Sequence, residues 1–280
     1  MQEFLFAFLA LFAFSLKNVL NKLILKKLDV YSSLVICYSL AIPFLVVALF
    51  SLSQLVPPSA ETWFLILFSS VVGSASIIFF FKAVQTSKVS MVFAIAGSYP
   101  LFSILFSVFL LNEPFLPKYL VVLPAILAAL FLLGYSKKEK RLFDQATWLA
   151  LLTCVGWGAY FTLAKVVSSS INPFNATFFM ETGVLAGVLA YALFSRKKLV
   201  LPSSNYQWFL IVPFSILLAI GSISANISLL TIGVSVTALV TSAAPGLTAL
   251  FSRVFLKEKL SVSQYSGILL LVIALAILSL

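Results

Sequence analysis

The stretch PLFSILFSVFLLNE at residues 100–113 returns as PGLTALFSRVFLKE at residues 245–258. Pro, Leu, Phe, Ser, Leu and Glu recur at matching positions without a gap, at an offset of 145 residues. The same offset sets Trp63 on Trp208, Ser90 on Ser235, Pro100 on Pro245 and Glu113 on Glu258. An offset of 143 aligns the beginning of the two copies, placing Phe14 on Trp157 and Lys22 on Lys165. One pattern is therefore written twice along the 280 residues.

What that pattern builds follows from composition. The chain is 62% hydrophobic and 9% charged, with a mean hydropathy of +1.16. Soluble domains are about 45–50% apolar and about 25% charged. The apolar residues come in runs of roughly 20, the length that crosses about 30 Å of hydrocarbon as a helix. Breaks at clustered charge, Pro, Asn and Ser predict ten spans, at 3–25, 32–54, 62–85, 89–111, 116–136, 146–168, 173–195, 206–230, 234–256 and 262–280. The expected fold is an all-α integral membrane bundle. MQEFLFAFLA lacks a basic leader region and reads as the start of the first span.

The repeat then divides the chain into a five-helix unit over 1–136, a short basic linker at 137–145 and a second unit over 146–280. Five is odd, so the second unit enters the membrane from the opposite side and the repeat is inverted. Charge agrees. With loops numbered by the span they follow, Lys118 and Lys165 belong to even loops and Lys17 to the first span; the other fifteen of the eighteen Lys and Arg residues belong to odd loops. Positive residues mark the cytoplasmic side, which predicts cytoplasmic odd loops, external termini and a multi-pass protein of the cell membrane.

Several function classes drop out. The net charge of +10 sits between spans, as membrane orientation requires, and does not read as a nucleic-acid surface. Histidine is absent, removing the usual general base and the commonest metal ligand. Cys37 and Cys154 fit no metal-binding spacing. No Walker-type phosphate loop occurs, so this chain hydrolyses no ATP. The scattered carboxylates have no paired spacing that would suit a bilayer transferase. No catalytic residue, metal ligand or cofactor is expected, and the expected partners are a small-molecule substrate, lipid and at most a second copy of the chain.

Ten helices as two inverted five-helix repeats resemble the drug/metabolite transporter superfamily, specifically its bacterial EamA-type members. The resemblance covers essentially the whole chain and includes WGAYFTLAK, Trp157 to Lys165, and the two fourth helices that run from a proline to Glu113 and Glu258. The first half departs from it, with Phe14 in place of the family-like Trp, and Asn112 and Lys257 stand where a Gly often precedes the Glu. Family members are often drawn with cytoplasmic termini, against the charge pattern here. The resemblance implies a central cavity between the halves, lined by spans 3, 4, 8 and 9 with help from 1 and 6.

The residues support such a site independently. Pro100 and Pro245 fall near the middle of their spans and disturb the carbonyls four residues back, at Ala96 and Thr241. Matching Pro-interrupted helices in inverted halves point to a midplane transport site. Tyr99, Pro100, Thr241, Ser242 and Pro245 are therefore candidate substrate contacts, with Trp157 and Asn226 from spans 6 and 8. Lys17 and Asn21 share one face of span 1 with Phe14. Charges inside a bilayer are costly and kept for function or pairing. Glu181, a third of the way along span 7, is a candidate proton site, an ammonium partner, or an ion-pair partner of Lys165 or Lys17. Gly183 and Gly187 form a GxxxG read as a packing or dimer face. Glu113 and Glu258, at the unfavourable end of their helices, call for Lys partners, with Lys259 adjacent to Glu258.

The expected function is secondary transport by alternating access, most simply export of an amino acid or amphipathic amine. Exchange of phosphorylated or nucleotide-type metabolites is the alternative, disfavoured because few cations fall near the midplane. A channel, a scaffold and an intramembrane transferase are more distant.

Overall fold

The structure is a computed structural model that describes residues 2–86, 89–134 and 145–279. Most of the 137–145 linker thus lies outside the described residues. After a short 3-10 turn at Gln2–Phe4, the elements are α1 (Leu5–Ile24), α2 (Val30–Leu52), α3 (Ala60–Thr86), α4 (Val89–Ala96), α5 (Pro100–Leu111), α6 (Tyr119–Gly134), α7 (Gln145–Ile171), α8 (Pro173–Phe194), α9 (Asn205–Thr231), α10 (Gly233–Thr241), α11 (Ala244–Leu256) and α12 (Val262–Ser279). Taking α4 with α5 and α10 with α11, these make ten spans. Among the described residues, nine of them are long and apolar enough to cross a bilayer, and α6 is a shorter apolar helix of 16 residues.

Local sequence sets the boundaries. Asp29 caps α2 by accepting from the amides of Tyr31 and Ser32. Ser204 and Gln207 form a capping box on α9. Span 6 runs to Ile171, three residues beyond its expected end. The chain turns only at Asn172, where φ is 65° and ψ 162°, a backbone outside the helical regions. The Asn172 side chain then caps α8 at Phe174 and Asn175, with Pro173 at the first helical position.

Spans 4 and 9 are broken at the prolines that the sequence marks as interruptions. α4 stops at Ala96 and α5 restarts with Pro100 at its first position; α10 stops at Thr241 and α11 restarts with Pro245 in its first turn. Proline suits a helix start, where its missing N–H costs nothing, and Pro100 and Pro245 take that place, whereas Pro43, Pro124 and Pro213 are accommodated inside α2, α6 and α9. The Ala96 carbonyl is satisfied by the amide of Tyr99 at 3.2 Å.

The inverted repeat is visible in the packing. α3 lies on α7 as α9 lies on α1, and α3 meets α8 as α9 meets α2. α5 meets α7 as α11 meets α1, while α2 with α8 and α6 with α12 pair across the pseudo-axis. Bilayer lipid gives no hydrophobic drive for these contacts, so close approach through small residues holds them. A Cβ on Gly156 would strike Ser76, and one on Gly183 or Gly187 would strike Ser70 or Ser74. The GxxxG of α8 is therefore an internal α3 contact, not a dimer face. The serine hydroxyls there bond back to their own helix, as Ser70 does to the Ile66 carbonyl at 2.6 Å. Large apolar side chains such as Phe64, Phe109, Phe194 and Val254 face outward, where a membrane protein meets lipid.

Candidate functional site

Both helix breaks open onto a cavity of about 200 Å³ between the halves. α1 presents Phe14, Lys17 and Asn21, the face predicted by three- and four-residue spacing, together with Asn18. α7 contributes Trp157, Tyr160 and Phe161, and the breaks contribute Gly97, Tyr99, Thr241, Ser242 and Pro245. α8 supplies Glu181, while α9 supplies Phe214, Leu218 and Ser222. α3 adds Phe80 and Phe81, and α2 adds Leu34 and Tyr38.

The wall is largely a connected set of rings. Phe80 packs on Trp157 at 5.2 Å between centroids and edge-on to Phe93 at 4.9 Å. Tyr99 meets Phe161 at 5.2 Å and Trp157 at 6.0 Å. Two groups of opposite formal charge interrupt it. The Lys17 ammonium lies 5.0 Å from the centroid of Phe14 and 5.7 Å from that of Phe214, within cation–π range. The Glu181 carboxyl accepts from Ser222 Oγ at 2.6 Å. Among the described residues the ion pairs are Lys22–Glu258 and Lys165–Glu113, so Lys17 and Glu181 share the cavity without a direct salt bridge.

The inner cavity is continuous with a larger vestibule of about 520 Å³, because Asn18, Asn21, Phe80, Phe81, Phe93 and Pro245 line both. The vestibule reaches Lys22, Lys26, Glu258 and Gln264, on the odd-loop side. On the even-loop side, Glu113 joins the end of α5 to the start of α10. Its carboxylate accepts from the amides of Val234 at 2.9 Å and Ser235 at 3.3 Å, the start of α10, and pairs with Lys165. Gly233 approaches closely there at φ 85°; a Cβ would stand 3.1 Å from Glu113 Oε1. Burial pushes the Glu113 carboxyl up, but the Lys165 ammonium and the two amides outweigh it, holding it below the usual Glu value. Glu113 thus faces the favourable, N-terminal end of a neighbouring helix, reversing the expectation drawn from its own helix alone.

Of the candidate contacts, Lys17, Asn21, Tyr99, Trp157, Thr241, Ser242, Pro245 and Glu181 line the inner cavity together. Three stand elsewhere. Pro100 is buried at the start of α5 and shapes the break without lining the cavity. Asn226 is 7% exposed and fully engaged, accepting from Ser168 and donating to Thr177 and to the Ser222 carbonyl. It ties α7, α8 and α9 together behind the cavity wall. Lys165 pairs with Glu113, and the expected Lys259 partner of Glu258 is instead Lys22 at 3.0 Å. Tyr38, Tyr160, Phe214 and Ser222 were not singled out, because in a chain with 28 Phe and 9 Tyr nothing local marks an aromatic as cavity-facing.

The EamA-like transporter family model matches the chain twice, over residues 1–135 and 145–280. Among curated proteins none matches the sequence. A crystal structure shares the fold, with a TM-score of 0.81 over 99% of this chain and 96% of that one, at 19% identity. A chain matched end to end by that family model, folded as paired five-helix units around a polar-dotted cavity, is a membrane transporter of small molecules and belongs to the EamA-like transporter family.

Proposed function

We propose that this chain carries an amino acid or amphipathic amine by alternating access, with the two halves moving about the cavity at the helix breaks. One observation supports the substrate class above the rest: an ammonium and a carboxyl, Lys17 and Glu181, face the same aromatic cavity without pairing with each other. Lys17 would receive a substrate carboxylate and Glu181 its ammonium, while the Phe80, Trp157 and Tyr99 rings hold an apolar side chain. A phosphorylated substrate fits less well, since Lys17 is the one cation lining the inner cavity among the described residues and a carboxyl lies in the same wall.

The vestibule reaches the odd-loop side, and the Glu113–Lys165 pair is the proposed even-loop gate. With the odd loops cytoplasmic, as their Lys and Arg excess suggests, the cavity loads from the cytoplasm, and the direction is export across the cell membrane. Glu181 is the proposed coupling site, gaining a proton when the ammonium leaves.

Counterflow into proteoliposomes preloaded with individual amino acids, with and without a pH gradient, tests this reading. Saturable exchange within one amino-acid class is the expected result. Absence of exchange with every amino acid or amine, together with exchange of phosphate esters, would overturn it.

A further inference from the structure

The two halves diverge where their sequences agree. Glu113 and Glu258 are repeat counterparts, each following a C-cap residue in the left-handed conformation, Asn112 at φ 52° and Lys257 at φ 55°. The Glu113 side chain is 10% exposed and holds the start of α10 through Val234 and Ser235, with Ser107 Oγ on Ser235 Oγ at 2.8 Å beside it. The Glu258 side chain is 46% exposed, and its partner among the described residues is Lys22. Lys22 also reaches Ser252 Oγ at 2.9 Å. Lys22 is the counterpart of Lys165, and Ser252 of Ser107. The counterparts of Val234 and Ser235 are Val89 and Ser90, the first two residues of α4. The second gate thus has its carboxylate, its lysine and its serine already together at the vestibule mouth, with Glu258 half-exposed beside Lys22.

We propose that Glu258 is the clasp of the odd-loop gate. When the transporter turns over, the Glu258 carboxylate takes hydrogen bonds from the backbone amides of Val89 and Ser90, and Glu113 releases those of Val234 and Ser235. Each state then keeps one carboxylate buried on a helix N-terminus, where the dipole favours it, and one exposed beside a lysine. Because the gained and lost contacts match in kind, neither state is trapped by its gate, which lets a substrate bias the exchange. The two breaks give α4 and α10 the independence from α5 and α11 that such a swap requires. This inference rests on the alternating-access reading above.

The test uses full-length protein in proteoliposomes, in a Cys37→Ser, Cys154→Ser background with Asn18→Cys as a reporter in the vestibule. A membrane-impermeant maleimide is applied from the odd-loop side. Weakening the odd clasp with Glu258→Gln should raise the labelling rate several-fold, and Glu113→Gln should lower it by a similar factor. In a second experiment, without the reporter, Glu258→Cys with Val89→Cys should form an oxidant-induced cross-link that stops counterflow until reduced, as Glu113→Cys with Val234→Cys should. If Glu113→Gln shifts labelling but Glu258→Gln does not, and the Glu258/Val89 pair never cross-links, Glu258 is no clasp and alternating access stands. If no variant alters labelling and neither pair affects counterflow, the alternating-access reading itself is lost.

Discussion

The phenol of Tyr99 and the hydroxyl of Thr241 are 2.6 Å apart, a buried hydrogen bond that joins the break in span 4 to the break in span 9. The repeat does not reproduce it. The counterpart of Tyr99 is Ala244 and that of Thr241 is Ala96, neither of which can make a side-chain bond. The link therefore belongs to one arrangement of the two halves. Tyr99→Phe keeps the ring against Trp157 and Phe161 and removes the hydroxyl. Thr241 Oγ1 still has the Thr237 carbonyl at 2.7 Å. The expected stability loss is about 0.6–1 kcal/mol, the usual worth of one interhelical hydrogen bond, read by denaturation in mixed micelles.

Glu181→Gln preserves an acceptor for Ser222 and removes the negative charge from the cavity. A hydrogen bond to a charged group contributes about 1.5–3 kcal/mol. Half-saturating amine or amino-acid concentration in counterflow should therefore rise about 10- to 100-fold, with the pH dependence of transport flattened. A variant that binds as tightly as the parent would return Glu181 to a structural role.

The Glu113 gate carries its own pH signature. Its carboxyl is held below the ordinary value, so the folded protein binds that proton less readily than the unfolded chain. The resulting stabilisation is fully present above the unfolded value of about 4.3. It is lost as the pH falls through the lower folded value. Stability measured against pH should show the parent above Glu113→Gln near neutrality, with the two curves converging in acid.

Gly158 sits where α7 meets α5. A Cβ there would lie 2.6 Å from Phe102 Cβ and 2.9 Å from the Ser103 amide nitrogen, so backbone would have to shift. Gly158→Ala should destabilise by about 1–3 kcal/mol, the usual cost of overpacking. Gly183→Ala meets the Ser70 side chain instead, so Ser70→Gly should recover much of its loss. A double-mutant cycle on melting curves checks both statements.

The family, the span count and the position of the cavity were legible in the sequence because each follows from a local rule. Hydrocarbon thickness sets the length of apolar runs, a proline removes a helix hydrogen bond where it stands, and an odd number of spans per repeat inverts the second copy. Lys17, Asn21, Tyr99, Thr241 and Glu181 could be placed at the cavity because they are polar or sit at a break. The partners of those residues were not legible. Asn226 resembled a ligand contact until Ser168 and Thr177 arrived from α7 and α8 to occupy it. Lys165 resembled a partner for Glu181 until α5 and α10 brought Glu113 to it. Glu113 and Glu258 sit in similar sequence, yet one is partly buried on a helix N-terminus and the other faces the vestibule. The sequence determined which groups exist at each depth of the membrane. Only the tertiary structure decided which of them are engaged, because engagement depends on neighbouring helices whose approach is set by packing across the repeat, and two equal halves cannot both be closed while the cavity stays open on one side.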